Sequence, residues 1–200
     1  MSQIVGFLND SYAVIVSDSN IADETGESIG TSKKLFSGGN FIITSVGVSF
    51  GLTIIEGLLA QTKFLGPITK EEIENYLITY GNKQYDFFLK NYGKNLKQDL
   101  IRLYFLFAAV NKEKKLSLGF LGSEGDAPFS VLPAEKVVTA PRRIVLEANL
   151  LKLANKPKTE VADFIVSYLR KVSQKDPSVK PPFGVAVFDS KTAISLSSHF

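Results

Sequence analysis

An α+β fold in which helices flank two antiparallel sheets, a four-layer αββα sandwich, is predicted by three features of the sequence. Candidate strands come in hairpins rather than alternating singly with helices, which favours antiparallel pairing. The periodicities run strands, two helices, strands, two helices, strands along the chain. Four amphipathic helices are also enough to cover the outer faces of two sheets. Element order alone leaves this as one α+β arrangement among several. The length, 200 residues, suits one domain over residues 1–200, with two small domains as the alternative.

The chain opens on a hairpin, because the β-rich runs Gln3 to Leu8 and Ala13 to Ser17 flank Asn9-Asp10-Ser11, residue types that favour turns. Asn20 to Gly30 is polar, with Asp23, Glu24, Gly26 and Glu27, and reads as a loop before Lys33-Lys34-Leu35-Phe36. A turn at Ser37-Gly38-Gly39-Asn40 leads into the strand Phe41 to Val48, and Gly51 to Gln61 then carries Leu52, Ile55, Leu58 and Leu59 at the spacing of one helix face. Thr69 and Glu72 form a capping box, with Ile68 able to staple onto Ile73 across it. Tyr76, Leu77, Tyr80, Tyr85, Phe88, Leu89 and Tyr92 continue that face as one long helix or as two in series around Gly81. Strands return at Leu103 to Val110 and Leu116 to Leu121, with a shorter run at Phe129 to Leu132.

The next helix is expected to start near Thr139-Ala140-Pro141, with Pro141 in its first turn, and to pass through Ile144, Ala148 and Leu151. Val161, Phe164, Ile165, Tyr168, Leu169 and Val172 mark the clearest helix of the chain. Gly184 to Phe188 and Ala193 to Leu196 close it as a hairpin around Asp189-Ser190.

Composition narrows the chemistry. Without cysteine there are no disulfides, thiol nucleophiles or Cys-ligated metals. The single histidine, His199, is penultimate and cannot form a histidine metal cluster by itself, so neither metal nor cofactor is expected. A net charge of +3 is spread over Lys33-Lys34, Lys112 to Lys115, Arg142-Arg143 and Arg170-Lys171 with acidic residues between them, which does not suit a nucleic-acid stripe. Most of these groups are read as solvated faces. Phe41 to Ala60 is apolar but interrupted by Glu56, Gly47 and Gly51, and reads as strand then helix rather than a membrane span. No basic segment precedes the first apolar run, so a cytoplasmic protein is expected.

The strongest chemical lead is Met1-Ser2-Gln3-Ile4-Val5-Gly6. Removal of Met1 would make Ser2 the N-terminus, placing a nucleophile and a base on one residue. An α-amino group titrates at about 7.7–8.0 and can accept the hydroxyl proton near neutral pH.

Ser2-Gln3-Ile4-Val5-Gly6, the Asp18-Ser19 pair sixteen positions after Ser2, and Lys33-Lys34-Leu35-Phe36 together resemble the amino-terminal region of proteasome β-type subunits. Those are N-terminal-nucleophile hydrolases with a terminal threonine, an aspartate and a lysine at the same mutual spacing. The detailed likeness runs from Ser2 to about Leu59, and the element order matches over nearly the whole chain. The resemblance implies that Ser2 attacks a carbonyl, that Lys34 stands beside its hydroxyl, that Asp18 holds Lys34, and that the Gly47 N–H forms an oxyanion hole. It further implies a substrate site at Asn20, Ile21, Ser32 and Phe36, maturation by loss of Met1 without a propeptide, and no cofactor.

This sequence departs from the family in having serine for threonine and Asn20 where arginine is usual. The Gly-Ser-rich turn that lends a hydroxyl to the terminal amine is here Thr139-Ala140-Pro141, with Thr139 as the substitute, and Asp176-Pro177-Ser178 matches the later Asp-x-x-Ser element loosely.

The expected function is a peptidase-type amidohydrolase working through an acyl-enzyme. A transpeptidase or ligase using the same nucleophile, and an inactive structural subunit, are the alternatives. The expected partners are a peptide or protein substrate and further copies of the chain in a closed ring, with an open spiral as the other assembly. The aromatic-rich segment Tyr76 to Tyr92 is expected to leave large side chains for a neighbour, and Arg142-Arg143 and Asp23-Glu24 to supply complementary charge.

Overall fold

The computed structural model describes residues 2–23, 27–126, 128–189 and 194–199. Its first sheet is built on the predicted hairpin, β1 (Ile4–Leu8) and β2 (Tyr12–Ser17). After them come a small pair, β3 (Asn20–Ala22) and β4 (Ser28–Thr31), then β5 (Leu35–Ser37), β6 (Phe41–Gly47) and helix α1 (Phe50–Leu65). Helix α2 (Lys70–Tyr76) runs through a π-helical turn at Leu77–Gly81 into α3 (Asn82–Asn91), and the short α4 (Gln98–Ile101) leads to β7 (Leu103–Val110), β8 (Leu116–Ser123) and β9 (Ser130–Val131). The chain ends with β10 (Val137–Ala140), α5 (Ile144–Leu151), α6 (Lys158–Ser173), β11 (Phe183–Asp189) and β12 (Ile194–His199).

Two five-stranded sheets result, ordered β10-β1-β2-β11-β12 and β5-β6-β7-β8-β9, with every recorded pairing antiparallel. The fold is therefore mixed α+β, with antiparallel sheets and helices.

Strand alternation explains why the central strands are apolar at nearly every position. In β2, Val14 and Val16 pack with Leu146, Ile165 and Leu169 of the last two helices, whereas Ala13 and Ile15 pack with Ile42, Leu106 and Leu118 of the other sheet. In β6, Ile42 and Val46 face the first sheet, while Phe41 and Ile43 pack with Ile54, Leu58 and Leu77 of the helices on the far side. With both faces covered, the hydrophobic-in, polar-out signature of a half-exposed strand disappears.

The helices begin and bend for local reasons. At Thr69 the capping box forms, its side chain accepting from the Glu72 N–H and the Glu72 carboxylate accepting the Thr69 N–H at 2.6 Å. Ile68 and Ile73 are both buried in the same cluster. The π-helical turn lets the chain continue past Gly81, where an added Cβ would crowd Ile54 Cγ2 at 3.3 Å and Phe129 Cε2 at 3.5 Å.

Two expectations fail. The stretch expected to be a loop from Asn20 to Gly30 contains the β3–β4 pair, with Asn20 opposite Thr31 and Ile21 opposite Gly30. Ile29, Gly30 and Thr31 are exposed, so the pair carries no buried apolar face for the sequence to betray. Glu24 and Gly26 lie outside the described residues, as do Ser190 and Ala193 of the closing hairpin.

The second failure is at Thr139-Ala140-Pro141, which does not open a helix. Val137 to Ala140 forms β10 against β1, and α5 starts only at Ile144. The β-branched run Val137-Val138-Thr139 suits a pleated surface, and that preference prevails over the proline signal.

Leu106 sits between the sheets with no exposed surface, and its Cδ2 lies 2.9 Å from where a Cβ on Gly6 would be. Leu106→Ala should cost about 2–5 kcal/mol of stability by urea unfolding, because the facing β1 backbone cannot collapse into the space.

Candidate functional site: a buried Asp18–Lys34 pair beside Ser2

Three chain segments converge at one end of the sheets. Ser2 and Gln3 precede β1, Asp18 follows β2, and Lys34 immediately precedes β5. The hairpin pairs Ile4 with Ser17, so residues 3 and 18 come together just past its open end. The Gln3 N–H donates to Asp18 Oδ1 at 3.2 Å, the Asp18 N–H donates to the Gln3 carbonyl at 3.1 Å, and the Asn20 N–H donates to Asp18 Oδ2 at 3.3 Å. The carboxylate is thus held by two backbone donors before any cation is counted.

The cation is Lys34. Its Nζ lies 3.3 Å from Asp18 Oδ1 and donates to Ser2 Oγ at 2.6 Å. Asp18 has 1% of its surface exposed and Lys34 8%. Burial pushes the Asp18 pKa up and the Lys34 pKa down, and each shift is partly countered by the other partner's charge. Asp18 therefore binds its proton more tightly in the folded chain, a contribution fully present below its unfolded pKa and lost as pH rises through the raised value. Lys34 gives up its proton earlier when folded, so its contribution grows as pH rises from the lowered folded pKa toward the unfolded one.

Asn20 is a structural hub. Its carbonyl accepts from Ser2 Oγ at 3.4 Å, its Nδ2 donates to the Ser178 carbonyl at 3.1 Å, and its Oδ1 accepts from Ser28 Oγ at 2.5 Å. Lys180 Nζ donates in turn to Ser28 Oγ at 2.8 Å. Ser178 Oγ–H and N–H both donate to Asp176 Oδ1, at 2.5 and 3.0 Å. Burial alone would raise the Asp176 pKa, but those bonds and the nearby Arg143 charge hold its carboxyl below the ordinary carboxylate range.

Gly47 ends β6 with φ +110°, and a Cβ there would sit 1.9 Å from the Arg102 carbonyl oxygen, so only glycine fits. The Val48 N–H bonds to the Arg102 carbonyl at 2.9 Å.

The remaining expected site residues divide. Ser32 bonds the Ser19 carbonyl through its N–H at 2.8 Å and helps to line a cavity of about 350 Å³ together with Asp18, Lys34, Gly184, Leu196 and Ser198. Ile21 is half-buried in β3. Phe36 packs on the helix side of its sheet, under the Lys33 ammonium at 5.4 Å, and does not line that cavity. The Thr139 hydroxyl accepts the Arg143 N–H at 2.7 Å and donates to Glu147 at 2.6 Å, so it serves the start of α5. Arg143, expected to be a solvated charge, is turned inward to Gln3 and Asp176, while Arg142 pairs with Glu147. Gln3, Ser28 and Lys180 were not among the expected site residues. Gln3 alone left a sequence signal, a polar residue opening an apolar strand.

Among the described residues no group of three or more His, Cys, Asp or Glu side chains is placed to hold a metal ion. None of the described helices is long and apolar enough to cross a membrane.

The architecture is that of a proteasome-related fold. No family profile and no curated protein matches the chain. Among solved structures it is similar to Anbu (ancestral beta-subunit) from Yersinia bercovieri, with a TM-score of 0.72 at 14% identity, over 98% of this chain and 86% of that one. It is likewise similar to a Gly-1 mutant of Anbu from Hyphomicrobium sp. strain MC1, with a TM-score of 0.72 at 13% identity, over 99% of this chain and 87% of that one.

These neighbours correct the resemblance to proteasome β-type subunits of the N-terminal-nucleophile superfamily. The likeness is to Anbu proteins, and at such identity it is one of fold, with nothing specific to N-terminal-nucleophile hydrolases. The spacing of Ser2, Asp18 and Lys34 follows from where the first hairpin ends and β5 begins, so it reports the architecture rather than one family within it.

Asp18→Asn and Lys34→Met should each destabilise the chain by roughly 3–5 kcal/mol, since each leaves a buried charge without its partner. The double variant should lose clearly less than the sum of the two, a coupling read from urea unfolding of all four proteins.

Proposed function

We propose that the chain is a peptidase-like amidohydrolase whose nucleophile is Ser2 once removal of Met1 has freed its amine. The observation that carries this reading is the 2.6 Å contact from the Lys34 ammonium to Ser2 Oγ, with Lys34 fixed by buried Asp18. An ammonium at that distance stabilises negative charge developing on Oγ.

In this mechanism Ser2 Oγ forms a bond to the substrate carbonyl carbon while its proton passes to the α-amine, directly or through a water. The carbonyl oxygen takes up the electron pair, and the Gly47 N–H is the donor proposed for it. Such a donor typically contributes on the order of 3 kcal/mol of transition-state stabilisation. The C–N bond then breaks, the amine returns its proton to the leaving nitrogen, and water resolves the ester. Asn20, Ile21 and Ser32 are proposed to face the substrate, and Asp176 and Ser178 to support the amine.

The three apolar clusters are read as the seams of a four-layer αββα sandwich forming a single domain. Assembly of several copies into a cytoplasmic ring is proposed with it. The exposure of Tyr80, Phe87 and Tyr92 on the segment from α2 to α3, at 47%, 59% and 63%, supports a neighbouring copy there.

A non-catalytic subunit of the same fold is the second reading, favoured by the commitment of the Thr139 hydroxyl to Arg143 and Glu147.

Treatment with a peptide β-lactone or epoxyketone should give a covalent adduct at Ser2, seen by peptide mass spectrometry. Ser2→Ala should give none, and Lys34→Met should label at least about 10³-fold more slowly. Equal labelling of wild type and Ser2→Ala would refute the assignment.

A further inference from the structure

We propose that Arg143 is a positioning residue for Ser2, acting through the side chain of Gln3 and locking the N-terminal residues to the Asp176–Ser178 turn. The inference rests on the reading of Ser2 as the nucleophile and concerns what holds it in place.

Gln3 directly follows Ser2 and has no exposed surface. Its Nε2 donates to the Pro141 carbonyl at 2.9 Å and to the Ile4 carbonyl at 3.2 Å, and its Oε1 accepts from Arg143 Nε. The far side of the same guanidinium reaches Asp176, with Nη2 to Oδ2 at 3.6 Å. One planar group thus bridges the residue next to the nucleophile and the turn that follows α6. A guanidinium can do this because its donors diverge in a fixed fork, whereas an ammonium would carry the charge without spanning both acceptors. Arg143 also occupies the N-cap position of α5, where Thr139 Oγ1 accepts its N–H at 2.7 Å, so its backbone is anchored independently of the side chain. The spent Thr139 hydroxyl and the inward Arg143 are two sides of one arrangement.

The charge matters as well as the geometry. The groups converging on the N-terminal residues are Lys34 and Asp18 on one side and Arg143 and Asp176 on the other. Lys180 reaches them through Ser28 and Asn20, while Glu147 is turned to Thr139 and Arg142. Arg143 is a cation one residue from the amine that must be neutral to act as a base. Removing it takes away one of the two cationic sides of this cluster while Asp176 keeps its charge, and that favours the protonated amine.

The test is the rate of covalent labelling of Ser2 by a peptide β-lactone from about pH 6 to pH 9, spanning the amine's titration. Wild type, Arg143→Met, Arg143→Lys and Asp176→Asn are compared. Arg143→Met should lower the plateau rate about tenfold or more and move the half-maximal pH up by roughly half a unit to one unit. Arg143→Lys should restore the half-maximal pH but not the full plateau, and Asp176→Asn should move the half-maximal pH down.

A labelled wild type whose midpoint is unmoved in Arg143→Met overturns the inference alone, because a merely structural residue would lower rate without moving the profile. Shifts of the same sign in Arg143→Met and Asp176→Asn overturn it too. If Arg143→Met does not fold, the profiles of Arg143→Lys and Asp176→Asn decide the same question. An unlabelled wild type instead refutes the nucleophile reading, and the inference with it.

Discussion

The buried contact between Asp18 and Lys34 is the constraint on which the arrangement depends. A carboxylate and an ammonium removed from water at 3.3 Å are tolerated only if the remaining lone pairs and protons are used. Here the Gln3 and Asn20 N–H groups take the carboxylate and Ser2 Oγ takes the ammonium. Each bond recruits a different piece of chain, so satisfying one ion pair fixes the N-terminal residues, the end of the first hairpin, the β3–β4 pair and the entry to β5. The ionised pair adds little net stability. Its effect is to specify one geometry, because every alternative leaves a buried charge without partners.

That geometry needs a dry and rigid surround, which the two sheets supply. Ile4, Ile15, Leu35 and Leu106 lie in one apolar cluster between the sheets, and Leu35 directly follows Lys34. The packing that holds the sheets together therefore also sets where the lysine enters the site. The second set of bonds, from Gln3 through Arg143 to Asp176, ties the same N-terminal residues to the α5 and α6 side of the first sheet. Gln3, directly after Ser2, is where the two sets meet, its N–H on Asp18 and its Oε1 on Arg143.

Much of this was legible in the sequence, and what was not has a physical reason. The hairpin, the capping box at Thr69 and the Val161 to Val172 stripe declare themselves through turn chemistry and period, because local preference and burial agree there. The β3–β4 pair is invisible because its strands are short and Ile29, Gly30 and Thr31 are exposed, so no buried alternation marks it. At Val137-Val138-Thr139 two local signals competed and strand pairing with β1 won. In the site, Ser2, Asp18 and Lys34 could be singled out because their residue types and spacing match a pattern known from proteasome β-type subunits. Arg143 could not, and Gln3 showed only as a polar residue opening an apolar strand, since the two lie 140 residues apart and only folding brings them together. Phe36 shows the converse: a plausible pocket residue by position, it falls on the opposite face of its strand because alternation sends Leu35 inward between the sheets and Phe36 toward the apolar cluster on the helix side. The family resemblance had the same limit, since three well-spaced residues describe an architecture that the Anbu neighbours share.

For Ser2 to work as an N-terminal residue, with its own amine as the base, Met1 has to be removed. The most direct measurement is the intact mass of the natively expressed protein, supported by sequencing of its first residues. A chain that begins at Ser2, lighter by one methionine residue than the full sequence, is the expected result. A protein that retains Met1 on every molecule would contradict it, because the acylated nitrogen could no longer accept the hydroxyl proton.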